Sequence, residues 1–183
     1  MHRMMSAGWA LYSIARQFGA RLGFAGVLAI ASVPLTLMAA PASAAPPATK
    51  AVQHCIVQLA PLTAADKAAH RGSKVVSKQC SAQPIVRPDT GDLLITLYDQ
   101  PGYAGSSVEF TSNPGGCSGD YNVLDFNTIG WNDRTASAVP YCYRSSVLYQ
   151  DTYLSGATYT ISSGTPDLGQ FDYTASSWET IPQ

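Results

Sequence analysis

From Leu93 onward, short runs of hydrophobic and β-branched residues alternate with clusters of Gly, Pro, Ser, Asn and Asp. No part of this region has a helical period over any length. Short apolar runs bounded by turn residues are typical of β-strands. The pattern therefore predicts an all-β sandwich or barrel. The predicted strands are LLITLYD, SSVEFT, SAVPYCY, SVLYQ and ATYTIS.

The region before Leu93 has a different pattern. CIVQL (55–59) and KVVSKQC (74–80) are predicted strands. Between them, LTAADKAAHRG is expected to form one short helix, with Thr63 as N-cap and Asp66 three residues later. SAQPIVRPDTGD carries two prolines and is a predicted linker. We therefore expect a small extension in front of the β domain.

The β region contains an internal repeat. LYDQPGYAGSSVEFTSNPG aligns on LYQDTYLSGATYTISSGTP without a gap. Further on, DRTAS (133–137) aligns on DYTAS (172–176) after twelve extra residues of the first copy, which surround Cys117, are left out. Two units of about 40 residues, each unable to bury its apolar face alone, are expected to pair into one two-sheet domain.

The start of the chain is predicted to be a secretory signal peptide, residues 1–44. Three arginines are followed by an apolar stretch with no charged residue between 22 and 49, and Ala42-Ser43-Ala44 is a small-x-small cleavage site. An uncleaved membrane anchor is the alternative, but Pro34 and Pro41 interrupt the apolar run. We expect a secreted, extracellular protein without a membrane span after cleavage.

Four cysteines follow the predicted cleavage site: Cys55, Cys80, Cys117 and Cys142. An even number of cysteines in an exported protein indicates disulfides. Three pairings are possible, and proximity favours Cys55 with Cys80 and Cys117 with Cys142. A zinc site is the alternative, but the chain has no Cys-x-x-Cys spacing.

Charge is divided unevenly along the chain. Residues 45–88 carry six Lys and Arg against one Asp, whereas residues 89–183 carry nine Asp and two Glu against two Arg. An acidic module disfavours nucleic acid as a partner and leaves carboxylates for cations or for solubility. No His-Glu-x-x-His, Gly-x-Ser-x-Gly or Gly-x-Gly-x-x-Gly motif occurs. We predict no catalytic residues and no enzyme activity.

The first repeat carries a recognisable hairpin signature. Tyr98-x-x-x-x-Tyr103-x-Gly105 resembles the aromatic-x₄-aromatic-x-Gly hairpin of βγ-crystallin Greek keys. The glycine can adopt a positive φ where the hairpin folds back, and the aromatic rings cover the hairpin.

The second repeat departs from this signature at one place. Tyr149 and Gly156 match, but Leu154 stands where the second aromatic is usual, and the neighbouring Tyr153 is expected to substitute for it. The resemblance implies that these aromatic residues, together with Trp131 and Trp178, build the domain.

The resemblance implies a two-Greek-key βγ-crystallin-like sandwich over residues 89–183. The two keys span about 93–142 and 145–181, and the disulfide-closed extension with its linker covers 45–88. We expect a monomer.

Members of this family often bind calcium through arms written [Asn/Asp]-[Asn/Asp]-x-x-[Ser/Thr]-Ser. Two arms pair so that an acid of one and a hydroxyl of the other share an ion. In one register Asn132-Asp133 is the acidic doublet, and Ala136 at the fifth position has no oxygen. In the other register the doublet begins at Asp133 and at Asp172, and both fifth positions are serines.

We favour the second register because it places Val139 and Trp178 at matching inward positions. It makes Asn132 the least important residue of the arm and puts the cation beside Arg134, which weakens binding. The predicted Ca²⁺ ligands are Asp133, Ser137, Asp172 and Ser176.

Two alternatives to the second register remain. In a mixed arrangement, Asp133 is the second acid of its arm while Ser176 is the hydroxyl of the other, which gives one good site and one poor site. Alternatively, the Asp and Ser side chains only cap the loops before strands by bonding to the backbone.

Three functions are expected for a non-enzymatic binding module of this kind. The first is a calcium-binding structural or stress protein. The second is an inhibitor of an extracellular protease, because exported actinobacterial members of the family include a metalloproteinase-inhibitor type. The third is an antimicrobial, killer-toxin-like protein that acts through the basic extension. The candidate inhibitory loop comprises Asn113, Pro114, Gly115, Gly116 and Cys117.

Overall fold

The computed structural model describes residues 51–87, 91–113, 116–142 and 145–181. The predicted signal peptide and its cleavage site lie outside these ranges. Within them, no helix is long and apolar enough to cross a membrane.

The described chain is built mainly from short strands. They are β1 (His54–Leu59), β2 (Val75–Ser81), β3 (Leu93–Gln100), β4 (Ala104–Ser112), β5 (Asn122–Val123), β6 (Ser137–Pro140), β7 (Ser146–Asp151), β8 (Ser155–Ile161) and β9 (Ser177–Thr180). One α-helix, α1, spans Ala64–Ala68, and 3₁₀ turns span Gly116–Ser118, Phe126–Ile129 and Gly169–Phe171.

The strands form two sheets, with strand orders β2-β1-β4-β3-β6 and β5-β9-β7-β8. Backbone hydrogen bonds join the two repeats. β5 of the first repeat pairs with β9 of the second, and Thr165 of the second repeat bridges to Ala138 in β6. The predicted fold class, an all-β sandwich of two Greek keys, is confirmed. The second sheet therefore includes a strand of the first repeat, and the first sheet is joined to the second repeat by one bridge.

The extension is built into the first sheet. β1 runs parallel to β4 and antiparallel to β2, and Cys55 lies directly opposite Cys80. The predicted disulfides Cys55–Cys80 and Cys117–Cys142 are both formed. The predicted helix is confirmed as α1, which begins with a capping box between Thr63 and Asp66.

The core lies between the two sheets and includes residues of β1. Val57 and Leu59 are fully buried beside the apolar residues of the two repeats. Trp131 and Trp178, predicted to build the core, are 2% and 0% exposed. The ring of Phe110 stacks on Trp178 with centroids 5.0 Å apart.

Candidate functional site

The hairpin of the first repeat has the geometry that its signature predicts. The rings of Tyr98 and Tyr103 meet edge to face with centroids 5.7 Å apart. Gly105 has φ +77°, and a Cβ there would overlap the carboxylate of Asp99. Glycine is therefore required both by the backbone conformation and by the lack of space.

The hairpin of the second repeat is closed by leucine. The N–H of Leu154 donates to the hydroxyl of Ser177 (3.1 Å), just as the N–H of Tyr103 donates to that of Ser137 (3.0 Å). Leu154 is thus the counterpart of Tyr103. The expectation that Tyr153 covers the hairpin is wrong, because the side chain of Tyr153 is 71% exposed.

The serines that close the hairpins fix the true register of the repeat. The hydroxyl of Ser137 donates to the carbonyl of Gln100 (2.7 Å), and that of Ser177 donates to the carbonyl of Asp151 (2.6 Å). Ser137 therefore corresponds to Ser177 and not to Ser176. The two DxTAS segments match residue for residue in the sequence, but their structurally equivalent residues are shifted by one position.

The same shift places Asp133 in correspondence with Tyr173. Both have a positive φ, 53° and 58°, and their N–H groups donate across the repeats to equivalent carbonyls. Ala138, which is fully buried, takes the inward place that Trp178 holds in the second copy, while Val139 is half-buried. The favoured register is therefore wrong for the first arm. The expectation failed because the inward residues of the two copies differ greatly in size.

The two arms are NDRTAS (132–137) and DYTASS (172–177), which is the mixed arrangement. The hydroxyl of Ser176 donates to Oδ1 of Asp133 across the repeats, at 3.3 Å. At the symmetry-related place the counterparts are Tyr173 and Ala136. One location therefore offers a carboxylate and a hydroxyl, and the other offers neither.

The surroundings of Asp133 are polar. The Nδ2 of Asn132 donates to Oδ2 of Asp133 (2.7 Å), while its buried Oδ1 has no hydrogen-bond partner among the described residues. The guanidinium of Arg134 binds Asp99 at 2.8 Å and lies over the ring of Trp131, 4.4 Å from its centroid. The positive charge of Arg134 is thus compensated by Asp99, which reduces its repulsion of a cation near Asp133.

The side chains of the other two predicted ligands, Asp172 and Ser137, bond to the backbone of the domain. Oδ1 of Asp172 accepts from the N–H of Leu168 (3.1 Å). Burial, and then the nearby carboxylate of Asp167, raise the pKa of Asp172. The hydroxyl of Ser137 is buried and closes its hairpin. Asp172 and Ser137 therefore cap a loop and a hairpin. Asn132, predicted to be the least important residue of its arm, is the residue that contacts Asp133.

The candidate inhibitory loop is tied to the domain at both ends, although Pro114 and Gly115 lie outside the described residues. The N–H of Asn113 donates to the carbonyl of Leu59 (2.7 Å). The carbonyl of Gly116 accepts from the hydroxyl of Tyr121 (3.0 Å). The N–H of Cys117 donates to the carboxylate of Asp92 (3.1 Å), and its sulfur is bonded to Cys142.

Comparison with solved structures gives three similar domains. A βγ-crystallin domain from Flavobacterium johnsoniae is 30% identical, with TM-score 0.39, and the match covers 49% of this chain and 96% of that one. One from Clostridium beijerinckii is 26% identical, with TM-score 0.39, and covers 48% and 97%. A βγ-crystallin from Ciona intestinalis is 22% identical, with TM-score 0.40, and covers 48% and 98%.

This chain, a two-Greek-key β-sandwich by its own strand topology, is similar to these βγ-crystallin domains over about half of its length. No protein-family model matches it, and no curated protein matches its sequence.

Proposed function

We propose that this protein is a secreted, non-enzymatic binding module that holds one Ca²⁺ ion between its two repeats. The observation that carries the proposal is the approach of Asp133 and Ser176 from opposite repeats, 3.3 Å apart. A carboxylate and a hydroxyl from two arms are the kinds of oxygen ligand that Ca²⁺ takes.

The residues around this pair fit a hard cation. The buried Oδ1 of Asn132 is an acceptor without a hydrogen-bond partner in the described part of the chain, and an unsatisfied buried acceptor is costly unless a ligand satisfies it. Ca²⁺ requires six to eight oxygens, so carbonyls and water would complete the shell around Asp133 and Ser176. The location that carries Tyr173 and Ala136 lacks both side-chain ligands, which supports a stoichiometry of one ion and not two.

Isothermal titration of residues 45–183 with Ca²⁺ tests the proposal. We expect one bound ion, and about tenfold or greater weakening in Asp133→Asn, which removes the charged ligand. Asp172→Asn is the matched control, because it makes the same chemical change in the other arm and keeps the oxygen that accepts from Leu168. The absence of heat at millimolar Ca²⁺, or equal weakening by the two substitutions, would contradict the site.

Inhibition of an extracellular protease is a second candidate function. It is supported by the contacts that tie Asn113, Gly116 and Cys117 to other parts of the domain. Fixed flanking residues reduce the entropy that a binding loop loses on association, and this favours inhibition.

A panel of thermolysin-like and serine proteases, assayed with micromolar protein, tests the inhibitor. We expect inhibition to be unchanged in Asp133→Asn and lost when Asn113 and Gly116 are both replaced by bulky residues. Full protease activity across the panel would reject this function.

A further inference from the structure

A cavity of about 340 Å³ lies between the α1 region of the extension and the second sheet. Its walls come from α1 and the residues after it, from the segment around β5, from the β7–β8 hairpin and from β9. The volume falls in the range of small-ligand sites, roughly 300–1,000 Å³. The proposed calcium ligands are not among its lining residues, so it is a separate feature of the domain.

The interior of the cavity is partly apolar. Leu62, Leu124 and Leu154 line it, each from a different part of the chain. Leucine side chains facing a cavity offer a surface for the apolar part of a ligand, as ligand pockets generally do. The extension supplies Leu62, which means that the cavity forms only when the extension is folded onto the repeats.

The most unusual residue of the cavity is Tyr153. Its side chain is 71% exposed, and it lies at φ 58°, followed by Leu154 at φ 55°. The counterpart positions in the first repeat, Gly102 and Tyr103, have φ 72° and 62°, so a positive φ belongs to both hairpins. The backbone is held there because the N–H of Tyr153 donates to the carbonyl of Leu124 (2.6 Å).

Comparison of the two repeats indicates that folding does not require the ring of Tyr153. In the first repeat, Tyr103 at the hairpin packs on Tyr98. In the second repeat, Leu154 takes the place of Tyr103, and the aromatic residue has moved one position earlier, to the cavity wall. The positive φ is common to both hairpins, but the exposed aromatic ring beside a cavity belongs to the second repeat, and exposed aromatic rings are enriched at binding sites.

The charged groups of the cavity are balanced and already paired. Lys67 forms an ion pair with Asp120, Arg71 binds Asp66 at 3.0 Å, and Glu179 accepts a hydrogen bond from the hydroxyl of Tyr149, outside the cavity. A charged ligand would have to compete with these pairs. Its attraction to the oppositely charged member of a pair would be offset by repulsion from the other member. A neutral hydroxyl both donates and accepts, and so it can add to an existing pair without breaking it.

We propose that this cavity binds a neutral saccharide of one or two rings. The apolar C–H face of one ring lies against Tyr153, and the hydroxyls bond to the paired charged groups around Asp120 and Glu179. An exposed aromatic platform beside a set of donors and acceptors with no net charge suits such a ligand better than it suits an ion.

Titration of ¹⁵N-labelled protein (residues 45–183) with neutral disaccharides tests the site by NMR. The probes are cellobiose, maltose, trehalose and N,N′-diacetylchitobiose, each raised to tens of millimolar in the presence of a calcium chelator. We expect at least one of them to give saturable shifts confined to amides around the cavity. The chelator separates this test from that of the calcium site, so either can fail without the other.

Two tyrosine variants make the test specific. Tyr153→Ala is expected to weaken the bound sugar about tenfold, which is roughly 1.4 kcal/mol. Tyr173→Ala is the matched control, because Tyr173 also lies at φ 58°, is 48% exposed and is not part of the cavity wall. We expect it to bind as the unaltered protein does.

Three results would overturn the proposal. The first is that none of the four disaccharides shifts the cavity amides. The second is that Tyr153→Ala binds as tightly as Tyr173→Ala. The third is that inorganic phosphate or the dipeptide Gly-Leu shifts these amides while no sugar does, which would assign the cavity to a charged ligand.

Discussion

The hydroxyls of Ser137 and Ser177 make the same pair of hydrogen bonds in the two repeats. Each accepts from the N–H of the residue that closes its hairpin and donates to a carbonyl of the preceding strand. Both serines are fully buried. This correspondence sets the register of the two arms and hence decides which oxygens meet across the repeats.

Replacing either serine is expected to destabilise the domain. Ser137→Ala and Ser177→Ala each leave a buried N–H and a carbonyl without a partner, which costs about 1–3 kcal/mol. Ser176→Ala is the matched control, because among the described residues the hydroxyl of Ser176 makes one hydrogen bond, the 3.3 Å contact with Asp133, and we expect a loss below about 1 kcal/mol. Urea unfolding without calcium measures all three. Equal losses of unfolding free energy in the three variants would show that the hairpin hydrogen bonds do not contribute more to stability than the contact of Ser176.

The extension is expected to fold as one cooperative unit with the repeats. Leu59→Ala removes a fully buried side chain of β1 from the common core, and such a change costs about 2–5 kcal/mol. Val76→Ala in β2, where the side chain is 44% exposed, should stay within about 0.5 kcal/mol.

Guanidinium unfolding followed by tryptophan fluorescence reports on the repeats, since Trp131 and Trp178 lie there. If Leu59→Ala left that transition unchanged, the extension would be an independent unit.

Stability is expected to fall at high pH because of Tyr149. Burial, and then the hydrogen bond and charge of Glu179, raise the pKa of Tyr149 from 10.0 to about 12. The folded protein then keeps a proton that the unfolded chain has lost, so the free energy of unfolding decreases as the pH rises from about 10 to about 12. Tyr149→Phe removes this contribution.

We expect the thermal midpoint of the Tyr149→Phe variant to fall less steeply over that interval than that of the unaltered protein. Tyr153→Phe is the control, since its side chain is largely exposed. If the thermal midpoints of the two variants depended on pH in the same way, Tyr149 would not be the group responsible for the loss of stability.

A second calcium site should be obtainable by restoring the missing ligands. Ala136→Ser combined with Tyr173→Asp reproduces, at the symmetry-related place, the hydroxyl and carboxylate of Ser176 and Asp133. Calorimetry is expected to show the stoichiometry rise from one ion to two. The single substitution Tyr173→Asp supplies a carboxylate alone and serves as the control. If the double variant gained no second ion, the correspondence of the two arms would not extend to binding.

The sequence by itself predicted the all-β class, the two repeats, the helix in the extension and the pairing of the cysteines. These features follow from short-range patterns, such as apolar runs between turn residues, a capping sequence and the proximity of cysteines. The Tyr98 to Gly105 signature likewise describes one hairpin, whose geometry depends on neighbouring residues.

Only the tertiary structure decided which residues of the two repeats contact each other. DRTAS and DYTAS match letter by letter, yet the serines that bond to the hairpins are Ser137 and Ser177. Long-range hydrogen bonds fixed that register, and a one-residue shift exchanges every partner across the repeats. The joining of β1 to β4, and the cavity beside Tyr153, likewise arise from contacts between residues distant in the chain. No local pattern encodes such contacts, because their free energy depends on how the two sheets pack.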